Sequence, residues 1–323
     1  MKASSPSAFA LFASLGLSAW LLCANAQAEP LELRIGYLRG PSDLSLVRDT
    51  GELEKELAGL AVKVRWLGPF PAAAPAYEAL NGGSLDLTSG SSTAFVTAIA
   101  GGMPMSMFGY QPMPANGEGI VVKDQAPIHS LADLPGKTVA VNRGGTGEYL
   151  LSRALETAGI DEGSVHKQYL SPTDSSSAFA SGHVDAWATW DPYLALAQNN
   201  YGGRLLINGQ QLGSENAAGY FIRQDFLAAH PQVVKAVLEV LQRSNRWARE
   251  HPLEAGRIWA RQMGNQSEEV ARQLGATNTS PLLAVGAQQV EQIQHIADWY
   301  WRKQIIRQQP VILEHVVDLG NAE

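Results

Sequence analysis

The chain writes one structural unit twice, and that repeat limits the folds open to it. In the first copy, Leu33-Arg-Ile-Gly-Tyr-Leu38 reads as a strand, 44–57 as a helix and 62–67 as an alternating strand. A proline-rich turn, a helix ending at Leu80 and Gly83-Ser-Leu-Asp-Leu87 follow. The second copy keeps the order: strand 138–141, helix 147–158, strand 166–170, a turn at Pro172, helix 175–180 and Gly182-His-Val-Asp-Ala-Trp187. The likeness is strongest where the units end, with Ala79-Leu-Asn-Gly-Gly-Ser-Leu-Asp86 set beside Phe179-Ala-Ser-Gly-His-Val-Asp185.

Strands alternating with helices imply right-handed βαβ crossovers and therefore an α/β fold with a mostly parallel, helix-flanked sheet in each copy. Two β-like runs, Gly119-Ile-Val-Val-Lys123 and Gly219-Tyr-Phe-Ile-Arg223, bracket the second copy and read as the crossovers between lobes. The expected division is lobe 1 over 29–118 and 219–323, with lobe 2 inserted as 119–218. After that the pattern is helical, over 231–250, 253–263, 267–274 and 285–303. Ligands of such sheets bind at the carboxyl ends of the strands, here in a cleft between the lobes.

Met1-Lys-Ala-Ser-Ser followed by an apolar run from Phe9 to Leu22 and then Ala26-Gln-Ala28 has the form of a secretory signal, with cleavage expected before Glu29. The only cysteine, Cys23, falls inside it, so the exported chain carries no thiol nucleophile, disulfide or Cys-ligated zinc. With a net charge of −7 and no Lys/Arg cluster, nucleic acid is not an expected partner. A hydrophobic fraction of 45% supports a large core without staples.

Two segments carry the functional signal. Val139-Ala-Val-Asn-Arg-Gly-Gly-Thr-Gly-Glu-Tyr-Leu-Leu151 runs from a buried strand through a glycine turn into a helix start. Backbone N–H groups there lack intrahelical partners and feel the positive end of the macrodipole, so Gly144, Gly145, Thr146, Gly147 and Glu148 could hold a small anion. A plain helix cap would use the same residues. In the repeat, Gly90, Ser91 and Ser92 hold the equivalent place in lobe 1, where their hydroxyls could complete the anion cage or simply cap a helix.

The second segment is Trp187-Ala-Thr-Trp-Asp-Pro-Tyr193. On a strand, Trp187 and Trp190 face opposite ways; Trp190, nearer the carboxyl end, is expected to wall the cleft, although both could pack between sheet and helix. Asp191 before Pro192 reads first as a helix N-cap and second as a grip for a ligand amine. Arg39, after the first strand, offers a bidentate guanidinium to an oxyanion. Glu215, beside the second crossover, could favour an amino group at the ligand's far end.

Other chemistries lack their signatures. Gly136-Lys-Thr138 precedes a strand and has Leu131 where a phosphate loop needs glycine; the Gly145-x-Gly147 pair is followed by Leu150 where a dinucleotide fingerprint needs glycine or alanine. None of the seven histidines forms a His-x-x-x-His pair and there is no Gly-x-Ser-x-Gly elbow. No cofactor and no metal are expected.

Leu33–Leu38, Glu78–Asp86, Ser130-Leu-Ala-Asp-Leu-Pro-Gly-Lys137, Arg143-Gly-Gly-Thr-Gly147 and Val184-Asp-Ala-Trp-Ala-Thr-Trp-Asp-Pro-Tyr193 together resemble the aliphatic sulfonate-binding proteins of bacterial ABC importers. The resemblance implies a monomeric type II periplasmic binding protein. Such a protein closes two lobes on a small anionic ligand and delivers it to a membrane permease driven by an ATPase. Taurine, sulfate ester and nitrate binders of the same family are the alternatives, and an enzyme of thiamine-pyrimidine or menaquinone type on the same scaffold is a further one. Two loops depart from the pattern: Leu38-Arg39 stands where sulfonate binders often have glutamine-lysine, and Thr88-Ser-Gly-Ser-Ser-Thr93 where many have glycine-aspartate-proline.

Overall fold

The structure, a computed structural model, describes residues 31–320, so the segment read as an export signal lies outside them. Among these residues ten strands form two five-stranded sheets. The first sheet takes β1 (Leu31–Leu38), β2 (Val62–Phe70), β3 (Leu87–Ser91) and β4 (Met105–Pro112); the second takes β5 (Glu118–Lys123), β6 (Thr138–Val141), β7 (His166–Tyr169), β8 (Ala186–Trp190) and β9 (Gly203–Asn208); β10 (Ala217–Arg223) returns to the first. Their spatial orders are β2-β1-β3-β10-β4 and β7-β6-β8-β5-β9.

Each sheet is mixed. The first strands pair in parallel, but β10 runs antiparallel to β3 and β4, and β5 antiparallel to β8 and β9. The runs 119–123 and 219–223 are therefore strands rather than the connections themselves. Each is the first strand after the chain changes sheet, and it arrives without a helical crossover, so nothing forces it parallel. The linking stretches are 113–117 and 209–216.

The first-copy helices are α1 (Asp43–Thr50), α2 (Glu52–Ala58), α3 (Ala73–Asn81) and α4 (Ser92–Ala100). The second-copy helices are α5 (Thr146–Thr157), α6 (Pro172–Ser181) and α7 (Tyr193–Asn200). The stretch expected as one helix over 44–57 is two, because Gly51 takes a left-handed φ of 67° and turns the chain between α1 and α2. Ser42 opens α1 with a capping box, and Ser171 with Pro172 opens α6.

After β10 come α8 (Gln224–Ala229), α9 (Pro231–Glu250), α10 (Pro252–Gln262), α11 (Glu268–Thr277) and α12 (Ala287–Arg302). On α9, Val233, Val234, Val237, Leu238, Val240 and Leu241 are buried, the stripe a period of 3.6 produces. It covers one face of the first sheet with Leu33, Ile35 and Ile222, while Tyr77, Phe95, Phe221 and Tyr300 pack on the other face. Within β10 the alternation is visible residue by residue: Tyr220 and Ile222 join one cluster, Phe221 the other.

The repeated aspartates have a physical reason. Asp86 accepts a hydrogen bond from the Arg34 amide (2.9 Å) while its own amide donates to Arg34 O (2.8 Å). Asp185 accepts from the Thr138 amide (2.8 Å) and donates to Thr138 O (2.9 Å). Each residue clamps its copy's opening strand, Asp86 in the middle of β1 and Asp185 at the first residue of β6. Asp86 is also buried under Arg34, whose Nε and Nη2 donate at 2.8 and 2.6 Å, with Arg223 at 3.3 Å; Asp185 is exposed. Leaving two guanidinium groups without their carboxylate costs more than losing one exposed bond. Urea denaturation should therefore show Asp86→Ala destabilised by about 3 kcal/mol and Asp185→Ala by about 1 kcal/mol or less.

Candidate functional site

A cavity of about 440 Å³ opens where the two sheets' carboxyl ends meet. Arg39, Gly90, Ser91, Gly144, Gly145, Thr146, Trp190 and Asp191 all line it. The first sheet supplies the β1 and β3 ends, the second the β6 turn and the β8 end. Most of the wall is apolar, with Leu38, Pro41, Ala94, Met103 and Met113 among its members.

The turn between β6 and α5 is built by two side chains that take some of its amides. Asn142 Oδ1 accepts from Gly147 N at 2.7 Å, and Glu148 Oε2 reaches back to accept from Gly144 N at 2.7 Å. A carboxylate at a helix start is favoured by the macrodipole. The amides of Gly145 and Thr146, both in the cavity wall, have no protein acceptor among the described residues. Those two are backbone donors open to a ligand at the start of α5.

Gly144 has φ of 63°, and Thr97 Oγ1 on α4 donates to its carbonyl at 2.6 Å. A Cβ there would meet Thr97 Cγ2 at 2.9 Å, so glycine serves both the backbone and the close approach of the two halves. Gly147 lies too close to Ala188 O, 2.5 Å from an added Cβ, to carry a side chain; it is a packing residue outside the cavity. Gly90 is bare because the Tyr77 ring crosses it, with an added Cβ only 2.1 Å from the hydroxyl.

Ser91 caps α4, accepting from Ala94 N at 3.2 Å, and still faces the cavity. Ser92 does not line it. Ser92 is fully buried, donating to Asn216 Oδ1 (3.2 Å) and accepting from Ala217 N (3.0 Å). Glu148 is likewise outside, its second oxygen accepting from Tyr169 Oη at 2.6 Å. Glu215 also lies away from the cavity and pairs with His295 at 3.0 Å.

Asn216 organises the junction. Its Nδ2 donates to Glu118 Oε2 (2.7 Å) and to Thr146 Oγ1 (3.2 Å), and its Oδ1 accepts from Ser92 Oγ and, at 3.4 Å, from Thr93 N. Thr93 and Thr146 hydroxyls lie 3.3 Å apart across the halves. Glu118 is completely buried and raised in pKa by that burial, against the hydrogen bonds from Ser214 and Asn216.

Trp187 is in the core against Phe179 and Tyr193, whereas Trp190 is half-buried, lines the cavity and meets Tyr193 edge-on at 5.9 Å. The cap position of α7 is Pro192; Asp191, one residue earlier, accepts from Ala195 N through Oδ1 at 3.1 Å, and its Oδ2 accepts from Thr277 and from Asn278 Nδ2 (3.1 Å). Its carboxylate is thus occupied by protein donors. Burial pushes it up to about 6.

Sequence reasoning did not place Arg143, Tyr77, Asn142, Thr97 or the 277–280 stretch in the wall. Asn142 and Arg143 had a signal, since they follow β6 as Arg39 follows β1. Thr277, Asn278 and Ser280 reach the cavity only through tertiary packing. Among the described residues no three His, Cys, Asp or Glu side chains form a metal-sized group, and no helix is long and apolar enough to cross a membrane.

Two five-stranded sheets meeting at a donor-lined cavity give this chain the fold seen in periplasmic binding proteins. Residues 58–255 match the family described as NMT1/THI5 like, and the chain belongs to that family. It is 30% identical over 290 residues to the putative aliphatic sulfonates-binding protein of Escherichia coli K12, covering 90% of each chain. Among solved structures it resembles the alkanesulfonate-binding protein SsuA from Xanthomonas axonopodis pv. citri bound to MOPS, with a TM-score of 0.83, 28% identity and coverage of 90% of this chain and 99% of that one. It also resembles the periplasmic aliphatic sulphonate-binding protein SsuA from Escherichia coli, with a TM-score of 0.78, 30% identity and coverage of 88% and 97%.

Behind the wall, Asp43 is buried with no cation, held by Tyr220 Oη (2.9 Å) and Asn245 Nδ2 (3.3 Å). Burial pushes it up to about 7 from an ordinary 3.8. The folded state therefore prefers the proton, and the stability this gives is full at low pH and lost as pH rises from 3.8 through about 7. Melting temperatures measured across that range should show the wild type losing stability relative to Asp43→Asn as pH rises.

Proposed function

We propose that this protein is the periplasmic solute-binding component of an ABC importer, capturing an aliphatic sulfonate and handing it to a permease driven by an ATPase. The observation that carries the reading is the pair of unused amides, Gly145 and Thr146, facing an otherwise apolar cavity between the two sheets. A sulfonate is ionised at any physiological pH and offers three acceptor oxygens. The α5 start supplies amide donors and a favourable dipole, and Ser91 adds a hydroxyl from the opposite wall. Trp190 and the methionines give the alkyl body an apolar seat. The sulfonate-binding names of the similar proteins support the same reading.

No bond needs to break in this function. The ligand contacts both halves and so favours the arrangement in which they are together, which the permease then reads. The division proposed is lobe 1 over 29–118 and 219–323 and lobe 2 over 119–218, with the protein exported as a monomer after loss of 1–28.

Thermal-shift measurements against alkanesulfonates, taurine, sulfate esters, nitrate and pyrimidine precursors test it. A ligand at 100 times its Kd adds about 2.7 kcal/mol of stability. The expected outcome is a clear rise in Tm with alkanesulfonates. A rise with pyrimidines alone, or with none of the anions, would sink the proposal. Trp190→Ala should weaken alkanesulfonate binding by about tenfold, the scale of removing one aromatic ring from a pocket wall, with the Tm of the free protein little changed; calorimetric titration reads the affinity and a thermal melt the stability.

A further inference from the structure

The repeat places one arginine after the opening strand of each copy: Arg39 after β1 and Arg143 shortly after β6. Both line the cavity, from opposite halves. Among the described residues neither guanidinium pairs with a carboxylate or donates to a protein acceptor.

Arg143 is nonetheless held in place. Its guanidinium lies over the Tyr169 ring at 3.6 Å, and that ring is fixed by the hydroxyl's bond to Glu148. Stacking orients the fork while leaving its N–H edge free. Arg39 is anchored through its backbone, donating to Phe70 O at 2.8 Å. The next residue, Gly40, touches the second half: a Cβ there would be 2.6 Å from Pro192 Cδ. The Arg39 loop thus lies against the end of β8 when the halves are together.

The wall's carboxylates do not answer these charges. Asp191 is saturated by Ala195, Thr277 and Asn278, and Glu78 stands exposed on α3 with no ion pair among the described residues. A single sulfonate on Gly145 and Thr146 leaves two arginines of the cavity wall, Arg39 and Arg143, without a carboxylate partner among the described residues. Resting on the sulfonate reading above, we infer that the preferred ligand is an organosulfonate bearing a second anionic group, sulfonate or carboxylate, gripped by Arg39 and Arg143 from opposite halves. Each half then holds the ligand by charge as well as by shape. Because both arginines are exposed, the gain is moderate and sensitive to salt.

Isothermal titration of the purified protein with size-matched pairs tests this: ethane-1,2-disulfonate against propane-1-sulfonate, and 3-sulfopropanoate against butane-1-sulfonate. The dianions should bind about tenfold tighter at low salt, as one charge-assisted bidentate contact provides, and the margin should shrink as salt is raised. Arg39→Gln with Arg143→Gln should abolish the margin, weakening the dianions about tenfold more than propane-1-sulfonate. The wild-type ligand series decides the question even if a variant folds poorly. Equal affinity for mono- and dianions would overturn the inference and leave the sulfonate reading standing, whereas binding of none of these ligands would overturn both. Taurine binding tighter than propane-1-sulfonate, with the advantage lost in Glu78→Gln, would also overturn it and assign the far end of the cavity to an amine.

Discussion

The arrangement of the two halves depends on one amide side chain. Asn216 has two donors and an acceptor oxygen with two lone pairs, and all four capacities are used, on Glu118, Thr146, Ser92 and Thr93. Those partners belong to the strand that enters the second sheet, the start of α5 and the start of α4. Asn216 itself lies in the return connection. One buried group therefore joins both chain crossings to both helix starts that face the cavity. A network with every member satisfied is stiff, and loosening one partner strands the others.

That stiffness bears on the cavity because the same threonine serves two structures. Thr146 offers its hydroxyl to Asn216 and Thr93, and its amide to the cavity. The donors facing a ligand are thus positioned by a network that exists before the ligand arrives. Glu148 has a parallel part: by occupying Gly144 N it narrows the amides left to Gly145 and Thr146, so the anion's place is set by what the protein has already taken.

Much of this was legible in the chain because it is periodic or repeated. The doubled unit fixed the two sheets, and the α9 stripe and its start at Pro231 read directly. Strand parity set Trp187 and Trp190 on opposite faces, and nearness to the strand's carboxyl end picked Trp190 for the cleft. What escaped has physical reasons. β4 is buried on both faces from Met105 to Gln111, so it shows no alternation, and it contains Gly109. The break at Gly51 needed a left-handed glycine in an otherwise helical pattern. Ser92, Glu148 and Glu215 were placed by proximity in sequence to the cleft, but their side chains found protein partners first, and only tertiary contacts reveal that. Asp191 was read as the N-cap of α7, a place the structure gives to Pro192, although its Oδ1 does take the Ala195 amide in the first turn; its second oxygen's bonds to Thr277 and Asn278 span more than eighty positions and leave no local trace.

The last helix has a further consequence. Trp299 on α12 packs edge-on against Tyr149 of α5 at 5.4 Å, and its indole nitrogen donates to Glu156 at 2.8 Å, while Tyr300 reaches Gly145 O at 3.4 Å. Trp299 is buried where α12 meets α5, so it belongs to the first half's core and touches the second half at the same time. The seam between the halves is thus held by an aromatic edge and a charge-assisted bond as well as by the Asn216 network, so parting them exposes an indole that the folded chain keeps dry.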